Sequence, residues 1–379
     1  MTAEAAVEFE ALEAQAAALM AKFTSSGYER VAPAFIQPAG LFLDRIGEAM
    51  RSRMYVFADP SGEELCLRPD LTVPVCRVFL ERGQTGLPAR FCYNGPAFRT
   101  QEGKPDPLRP REFRQSGIEY FGAPSQDADI EVLALLIDAV TIAELHDFSI
   151  RLGHIGIFSR LLEALDMPKR WRDRLFRAFW PPRIFRDEVR ALAEPNGNTD
   201  GEGHGATIET EIGLFDYIRA RNIEFIGLRR PEEVIERLKH KAQDAKEQPL
   251  PKEYVTLLES YLRIHSPLPD ALSEMRVLFN QAGVKMDGVL EELDGLSSAV
   301  NKLAKGVPLR FAADFGRHFS YYTGMVFQIE RDGMGIAGQV AGGGRYDTLI
   351  RALSGGEFDI PAVGGAIHTE RLLAATAGR

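Results

Sequence analysis

The order in which strand-like and helix-like patterns follow one another constrains the fold of this chain most strongly. Short apolar runs separated by turn residues fill most of residues 28–122, helical periodicity dominates 156–305, and strand-like runs return from residue 309. Strands and helices do not alternate regularly, which argues against a doubly wound parallel sheet. We therefore predict an α+β fold, in which 1–155 and 306–379 form an antiparallel sheet flanked by helices and 156–305 is an α-rich insertion domain.

An amphipathic helix precedes the first strand-like run. Leu12, Ala16, Leu19 and Phe23 recur every three or four residues, and Gly27 lies where a helix commonly ends. The spacing predicts a helix that stops close to this glycine.

The composition is that of a globular protein and excludes several classes. Of the 379 residues, 45% are hydrophobic and 26% are charged, which excludes disorder, collagen and coiled coil as the whole structure. Lys and Arg total 45 and Asp and Glu total 54, a net charge of −9, so bulk charge does not favour nucleic acid. No apolar run reaches the length of a membrane span, and the acidic start lacks signal-peptide features. We expect a cytoplasmic protein without membrane contact.

Cysteine and histidine spacing gives no sign of a metal site. Cys66, Cys76 and Cys92 form no CxxC pair, and the seven histidines form neither HxxxH nor HExxH. Small buried thiols in a reducing compartment explain the cysteines best. We therefore expect neither a disulfide scaffold nor a bound metal.

Two further segments invite functional interpretations that their context does not favour. Gly333, Gly335 and Gly338 match GxGxxG, but a strand-like run follows instead of the helix that a dinucleotide site needs, so a hairpin connection is predicted. The basic, aromatic segment 169–190 suits a nucleic-acid surface or an amphipathic helix. We favour the helix, or a face for a protein partner, because Trp171 and its apolar neighbours recur at helical spacing.

Polar side chains gather in three segments that together suit a small charged ligand. In LRPDLT, Asp70 and Thr72 are two residues apart and would share one face of a strand. Gln115 and Glu119 would likewise share a strand face, and Arg99 stands at the mouth of a long polar loop, where its guanidinium suits a phosphate or carboxylate. Such acceptors suit an ammonium group and a polar ring with N–H donors.

These segments resemble the catalytic core of class II histidyl-tRNA synthetases. LRPDLT at 67–72 is similar to that family's LRPEGT peptide, and residues 90–122 resemble its motif 2. RHFSYYTG at 317–324 resembles its RGLDYYTG peptide, and AGGGRYD at 341–347 followed by PAVGGAIHTERL resembles its motif 3. The resemblance implies a class II synthetase-like fold and a homodimer through the N-terminal part of the core, with Pro33 as the motif 1 proline.

Departures from the synthetase pattern point to a non-catalytic relative. No anticodon-binding domain is expected after the motif 3-like helix, Gln101 replaces the motif 2 glutamate that helps to hold adenine, and Ser320 replaces the aspartate of RGLDYYTG. The LRPDLT peptide, with Asp70 in place of the synthetases' glutamate, is similar to the corresponding peptide of the regulatory subunits of ATP phosphoribosyltransferase. That resemblance implies assembly with a short catalytic subunit for the first step of histidine biosynthesis, histidine as the feedback effector, no cofactor and no bound tRNA.

The resemblance also assigns roles to individual residues. Asp70, Thr72, Gln115 and Glu119 would hold the amino group and imidazole of histidine, Arg317 would meet its carboxylate, and Tyr321 and Tyr322 would line the pocket. Arg99 would also contact histidine, Arg99 and Arg371 would be remnants of a nucleotide site, and no residue would be catalytic. Neighbouring tyrosines of a regular strand face opposite sides, so both reach one ligand only at a bend.

Two other functions stay open at this point. One is a histidine-activating synthetase without an anticodon-binding domain, since Arg99 and Arg371 are present. The other is a synthetase-like sensor of uncharged tRNA. Genomic context would distinguish them, because a neighbouring gene for a short phosphoribosyltransferase favours the regulatory subunit.

Overall fold

The computed structural model describes residues 6–43, 52–83, 86, 88–101, 109–123, 126–179, 182–194, 243–244, 247–303, 306–316 and 321–377. They fall into two compact units, one within Met1–Ala164 and Ser260–Arg379, the other within Leu165–Glu259.

All the strands described belong to the first unit. In chain order they are β1 (Glu29–Arg30), β2 (Ile36–Pro38), β3 (Tyr55–Ala58), β4 (Glu64–Leu67), β5 (Ala89–Phe98), β6 (Glu112–Phe121), β7 (Ser149–His154), β8 (His265–Pro267), β9 (Leu309–Ala312), β10 (Met325–Glu330), β11 (Gln339–Arg345) and β12 (Ala362–His368). Nine of them form one sheet in the order β1-β5-β6-β12-β11-β10-β7-β9-β8, and β2-β4-β3 form a smaller one. Only β1–β5 and β7–β9 pair in parallel among these strands, which makes the sheet mainly antiparallel, as predicted.

The helices described are distributed over both units. They are α1 (Ala6–Ser25), α2 (Gly40–Leu43), α3 (Thr72–Glu81), α4 (Gln126–Ile142), α5 (Ile155–Ala164), α6 (Lys169–Ala178), α7 (Pro182–Ala193), α8 (Lys252–Leu262), α9 (Leu268–Gln281), α10 (Asp287–Leu303), α11 (Leu349–Leu353) and α12 (Thr369–Ala377). The predicted apolar stripe of α1 is buried at Leu12, Ala16, Leu19 and Phe23. The backbone turns at Gly27 with φ of 87°, a conformation that favours glycine.

The second unit is shorter than the predicted insertion at 156–305. Strand β8 pairs with β9 in the large sheet, and α10 packs against α4, so both belong to the first unit. Helical periodicity identifies a helix but not the unit against which it packs. The insertion predicted at 156–305 is therefore longer than the second unit.

The described part of the second unit contains the basic segment. Trp171, Leu175 and Ala178 of α6 are buried, as an amphipathic helix predicts. Arg170 contacts Asp244 at 2.7 Å, and Arg174 pairs with Glu188. Intramolecular carboxylates therefore neutralise part of the basic face.

Two smaller predictions are also confirmed. Gly333 and Gly335 lie in the connection between the antiparallel strands β10 and β11, so GxGxxG here belongs to a hairpin. All three cysteines are buried free thiols. None of the helices in the described residues is both long and apolar enough to cross a membrane.

Candidate functional site

Glu119 of β6 is the centre of a buried hydrogen-bonded cluster. Thr72 Oγ1 donates to Glu119 Oε1 at 2.8 Å, and Tyr93 Oη donates to the same oxygen at 3.0 Å. Tyr346 Oη donates to Glu119 Oε2. The carboxylate is fully buried, so these three hydroxyl groups replace the water it would otherwise bind.

Strand register brings these donors around Glu119. In the large sheet, Glu119 lies opposite Phe91 of β5 and Gly364 of β12. A Cβ atom at Gly364 would overlap Glu119 Oε2, and one at Gly117 would overlap Tyr93 Oη. Glycine is needed at both positions because the polar cluster occupies the space of a side chain.

Asp70 reaches the cluster from a loop, and the prediction that it shares a strand face with Thr72 is wrong. Strand β4 ends at Leu67, and Thr72 is the first residue of α3. Pro69 cannot donate to a strand ladder, while Asp70 Oδ1 accepts a hydrogen bond from Val73 N at 3.2 Å. The segment therefore turns into a helix, and the turn presents both side chains.

Two of the predicted residues carry a buried acceptor atom without a hydrogen-bond partner. Asp70 and Gln115 are 2% and 6% exposed. Among the residues that the structure describes, three buried side-chain atoms lack a hydrogen-bond partner: Asp70 Oδ2, Gln115 Oε1 and Tyr261 Oη. Buried polar atoms are normally paired, and the first two are acceptors on residues assigned to one ligand. They are suited to N–H donors.

Tyr321 and Tyr322 precede β10 instead of belonging to a strand. Their ring centroids are 4.9 Å apart with planes tilted by 51°, and Tyr321 packs edge-on against Tyr346 at 5.7 Å. Thr323 N donates to Arg345 O at 2.8 Å, which fixes the turn. The bend allows neighbouring tyrosines to lie in one buried cluster, as the resemblance requires.

The motif 3-like segment is anchored by a buried arginine. Arg345 Nε donates to Asp129 Oδ1 at 2.8 Å, and Arg345 Nη1 donates to Asp347 Oδ1 at 3.0 Å. Asp347 N in turn donates to Thr323 Oγ1 at 3.0 Å. The network fixes Tyr346, which lies between Arg345 and Asp347, in its position against Glu119.

The two arginines assigned to a nucleotide site bond to backbone carbonyls. Arg99 Nε donates to Pro69 O at 2.8 Å, and its guanidinium lies 4.8 Å from the centre of the Phe113 ring. Arg371 Nη1 donates to Gln339 O at 3.2 Å. Arg317, the predicted carboxylate ligand, lies outside the described residues.

Burial dominates the electrostatics of the two carboxyl groups. Burial raises the pKa of Asp70 to about 6, although the positive charge of Arg99 opposes that rise. Burial raises the pKa of Glu119 to about 7, against the hydrogen bonds from Tyr346, Thr72 and Tyr93. Burial therefore disfavours the ionised forms of both groups, and a cation beside them would favour those forms.

Two tyrosines belong to the site although they were not among its predicted residues. Tyr93 and Tyr346 donate two of the three hydrogen bonds to Glu119. Gly117 lies opposite Tyr93 in the hairpin of β5 and β6, so small residues facing tyrosines were the available signal. No group of three or more His, Cys, Asp or Glu side chains in the described parts of the chain is arranged to hold a metal ion.

Comparisons with known sequences identify the family. The family model described as histidyl-tRNA synthetase matches residues 5–200 and 214–372. A relative from Mesorhizobium japonicum, named ATP phosphoribosyltransferase regulatory subunit, is 35% identical over 369 residues, which cover 92% of this chain and 94% of the relative. The chain belongs to the family of ATP phosphoribosyltransferase regulatory subunits. A member of that family from Rhizobium rhizogenes is 34% identical and covers 95% of this chain and 96% of its own.

Solved structures confirm the class II synthetase-like fold. A Bacillus halodurans protein described as an ATP phosphoribosyltransferase regulatory subunit/histidyl-tRNA synthetase has a TM-score of 0.69 at 22% identity, covering 100% of this chain and 82% of that one. Apo histidyl-tRNA synthetase from S. aureus has a TM-score of 0.58 at 18% identity, covering 100% and 72%. This chain therefore shares its overall fold with these structures.

Proposed function

We propose that the chain is the non-catalytic regulatory subunit of an ATP phosphoribosyltransferase. It acts in the cytoplasm with a short catalytic subunit at the first step of histidine biosynthesis, and it transmits feedback inhibition by histidine. Identity of 32–35% to many regulatory subunits supports the role. The observation that carries the effector is the pair of buried acceptors without partners, Asp70 Oδ2 and Gln115 Oε1, beside Glu119.

The chemistry of these residues fits histidine. Its ammonium group would donate to Asp70 Oδ2 and Gln115 Oε1. Its imidazole would lie against Glu119, which has capacity for about one acceptor bond beyond its three hydroxyl donors, and against Tyr321. Arg317 would bind the carboxylate, because a guanidinium pairs with two carboxylate oxygens. Histidine thus supplies N–H donors for buried acceptors that lack a partner.

Feedback through this chain requires that histidine bind one state of the complex better than another. A ligand with equal affinity for both states shifts nothing, and typical couplings are about 1–3 kcal/mol. The bound ligand would draw together β6, the start of α3 and the turn that carries Tyr321, because each contributes one of its predicted contacts. Such a rearrangement provides a physical route for the effect.

The test reconstitutes the complex from this chain and the short catalytic subunit. We expect phosphoribosyltransferase activity only when both are present, inhibition by histidine, and an increased inhibitory concentration for Glu119→Ala. Hydrogen bonds to charged groups contribute about 1.5–3 kcal/mol, so calorimetry should show histidine affinity weakened about tenfold or more in that variant. Full activity and full inhibition without this chain would overturn the proposal.

The non-catalytic role can be tested separately. Pure chain is incubated with ATP, histidine and its own tRNA, and histidyl-tRNA is measured. We expect none above background, since Gln101 replaces the adenine-binding glutamate of the synthetases. Robust charging would instead identify a histidine-activating enzyme.

We also propose a homodimer within the hetero-oligomer. Ile36 at 51% and Phe57 at 38% are exposed on one face of the β2–β4–β3 sheet, where they form an apolar patch; Phe35, in the segment leading into the sheet, and Val56, on its other face, are exposed at 52% and 41%. Apolar side chains grouped on a surface mark interaction sites. Pro33, predicted as the motif 1 proline, precedes this apolar patch and supports a second copy of the chain as its partner.

A further inference from the structure

Arg99 directly follows β5 and bonds to the loop that carries Asp70. Its Nε donates to Pro69 O at 2.8 Å, and Arg99 N donates to Arg111 O at 2.8 Å. Its guanidinium lies over the ring of Phe113. Pro69 directly precedes Asp70, so Arg99 holds the peptide from which the Asp70 carboxylate projects.

Asp70 needs such support because it is almost completely buried. Its Oδ1 is fixed by Val73 N, while its Oδ2 has no partner among the described residues. A displacement of the loop at Pro69 would move Oδ2 directly, since only the Asp70 backbone separates them. Misplacing a hydrogen-bonding group by about 1 Å is enough to lose much of its contribution.

We infer that Arg99 is a positioning residue, which orients the Asp70 carboxylate and maintains its charge for the amino group of a bound amino acid, and that it does not bind the ligand's carboxylate. The inference rests on the proposed histidine site and assigns Arg99 a role different from the histidine contact and the nucleotide remnant suggested by the resemblance. Arg317 remains the residue proposed to bind the carboxylate of the ligand.

The charges around Asp70 support this role. Burial raises its pKa to about 6, and the largest opposing influence is the positive charge of Arg99, followed by the bond from Val73 N and the charge of Arg68. Arg68 is 1% exposed and donates to Pro33 O and Pro96 O. The other titratable groups coupled electrostatically to Asp70 are Glu119, Tyr93, Tyr321, Cys66 and Cys76.

Arg99 is the better of the two arginines to replace. Loss of Arg68 would leave buried carbonyl groups unpaired, which destabilises a fold by itself. Arg99 is half-buried, so a replacement side chain can be hydrated. Removing its charge should raise the pH below which Asp70 is protonated and unable to hold an ammonium group.

The experiment measures binding of two ligands by calorimetry on the full chain. L-histidine carries all three groups, whereas L-histidinol keeps the amino group and imidazole and replaces the carboxylate by CH₂OH. Arg99→Gln, Arg99→Lys, Arg317→Leu and the matched surface control Arg111→Gln are compared with the wild type at about pH 6 and about pH 8. Circular dichroism melts confirm that each variant is folded.

We expect Arg99→Gln to weaken the binding of both ligands equally, by about fivefold near pH 6 and by less near pH 8, because raising the Asp70 pKa by one from about 6 lowers its ionised fraction at pH 6 from about one half to about one tenth. Arg99→Lys keeps the charge and should keep the wild-type pH dependence while losing some affinity at both pH values. Arg317→Leu should weaken the binding of histidine only, and Arg111→Gln should weaken the binding of neither ligand.

Two results would overturn the inference alone. Loss of histidine affinity with unchanged histidinol affinity in Arg99→Gln would show a direct carboxylate contact. Equal losses at both pH values would show that the charge of Arg99 is not used. If the wild type bound neither ligand, the proposed histidine site itself would be wrong, and the inference would be overturned together with it.

Discussion

Asp70 and Glu119 are carboxyl groups whose burial opposes their charge. Their raised pKa values follow from desolvation more than from any single neighbour. A group whose folded pKa lies above its unfolded value binds a proton in the folded chain over the intervening pH range. Its contribution to stability is therefore present at low pH and is lost as pH rises through that range.

This sign gives a prediction for Asp70→Asn in the ligand-free chain. The pKa of Asp70 is raised from 3.8 to about 6, so near pH 8 the wild type carries a buried charge that asparagine lacks. We expect the variant's free energy of unfolding to exceed the wild type's by about 1–2 kcal/mol near pH 8, and the difference to shrink towards about pH 4. Urea unfolding at several pH values measures it.

Asp138→Asn is the control for that experiment. Asp138 has an exposed side chain and pairs with Lys22 at 2.9 Å. Exposed pairs contribute about 0–1 kcal/mol, so its replacement should have a small effect. An Asp70→Asn variant that is less stable than the wild type near pH 8 would show that another charge compensates the buried negative charge of Asp70 in the folded state.

Single residues of the site were partly predictable from the sequence. Strand periodicity correctly placed Gln115 and Glu119 on one strand, β6. It failed for Asp70 because the two-residue spacing to Thr72 suits a strand, whereas Pro69 and the bond from Val73 N produce a helix start. Tyr93 reaches Glu119 through the pairing of β5 with β6, and Tyr346 reaches it from the residue after β11, 26 and 227 residues away along the chain. Local periodicity does not predict such contacts.

At the scale of elements, β6 and β12 build the site together. Gly364 and Gly365 of β12 lie opposite Glu119 and Ile118 of β6. A Cβ atom at Gly364 would contact the Glu119 carboxylate and also Ile118 O at 2.7 Å. The pairing of these strands therefore depends on the absence of a side chain at the centre of the site.

Gly364→Ala tests this dependence. The methyl group must displace either the Glu119 carboxylate or the β6 backbone, and overpacking of this kind costs about 1–3 kcal/mol. We expect a lowered melting temperature and weakened histidine binding. Gly288→Ala is the matched control, because a Cβ atom there meets nothing within 4 Å in α10, and alanine favours a helix by about 1 kcal/mol.

Wild-type stability and affinity in Gly364→Ala would show that the carboxylate has room to move, contrary to the close packing of this site. A loss of stability with unchanged histidine affinity would confine the effect of Gly364 to strand pairing. Both quantities are measured on the same samples by thermal denaturation and calorimetry.

The architecture was more accessible to sequence analysis than the unit boundaries. The order of strand-like and helix-like patterns predicts an α+β fold because burial on one face imposes a recognisable period on each element. The extent of the second unit was not predictable, since α9 and α10 carry the same helical pattern whichever unit they contact. Their place is fixed by β8 joining β9 and by α10 packing on α4.

At the scale of the whole molecule, the exposed apolar patch predicts the assembly. Ile36→Asp places a charge in the proposed interface, where a buried charge without a partner is costly. We expect the variant to shift from dimer to monomer at micromolar concentration in size-exclusion chromatography with light scattering. Val277→Asp is the control, because Val277 is 56% exposed on α9 and does not belong to the patch.

A dimeric Ile36→Asp variant would place the second copy elsewhere on the chain. A monomeric Val277→Asp variant would show that added charge alone disrupts assembly. The patch is supported only when the two substitutions differ in the expected direction.

The first unit is built from two separate segments of the chain, Met1–Ala164 and Ser260–Arg379, and this has a consequence for synthesis on the ribosome. Strand β6 emerges early, but its neighbour β12 begins 241 residues after Phe121. Chains elongate at about 5–20 residues per second, so the edge of β6 that pairs with β12 stays unpaired for tens of seconds or less. During that interval an unpaired strand edge can join another nascent chain. Two ribosomes close together on one message would present such edges side by side, so slower translation between β6 and β12 lengthens the interval in which the wrong pairing can form.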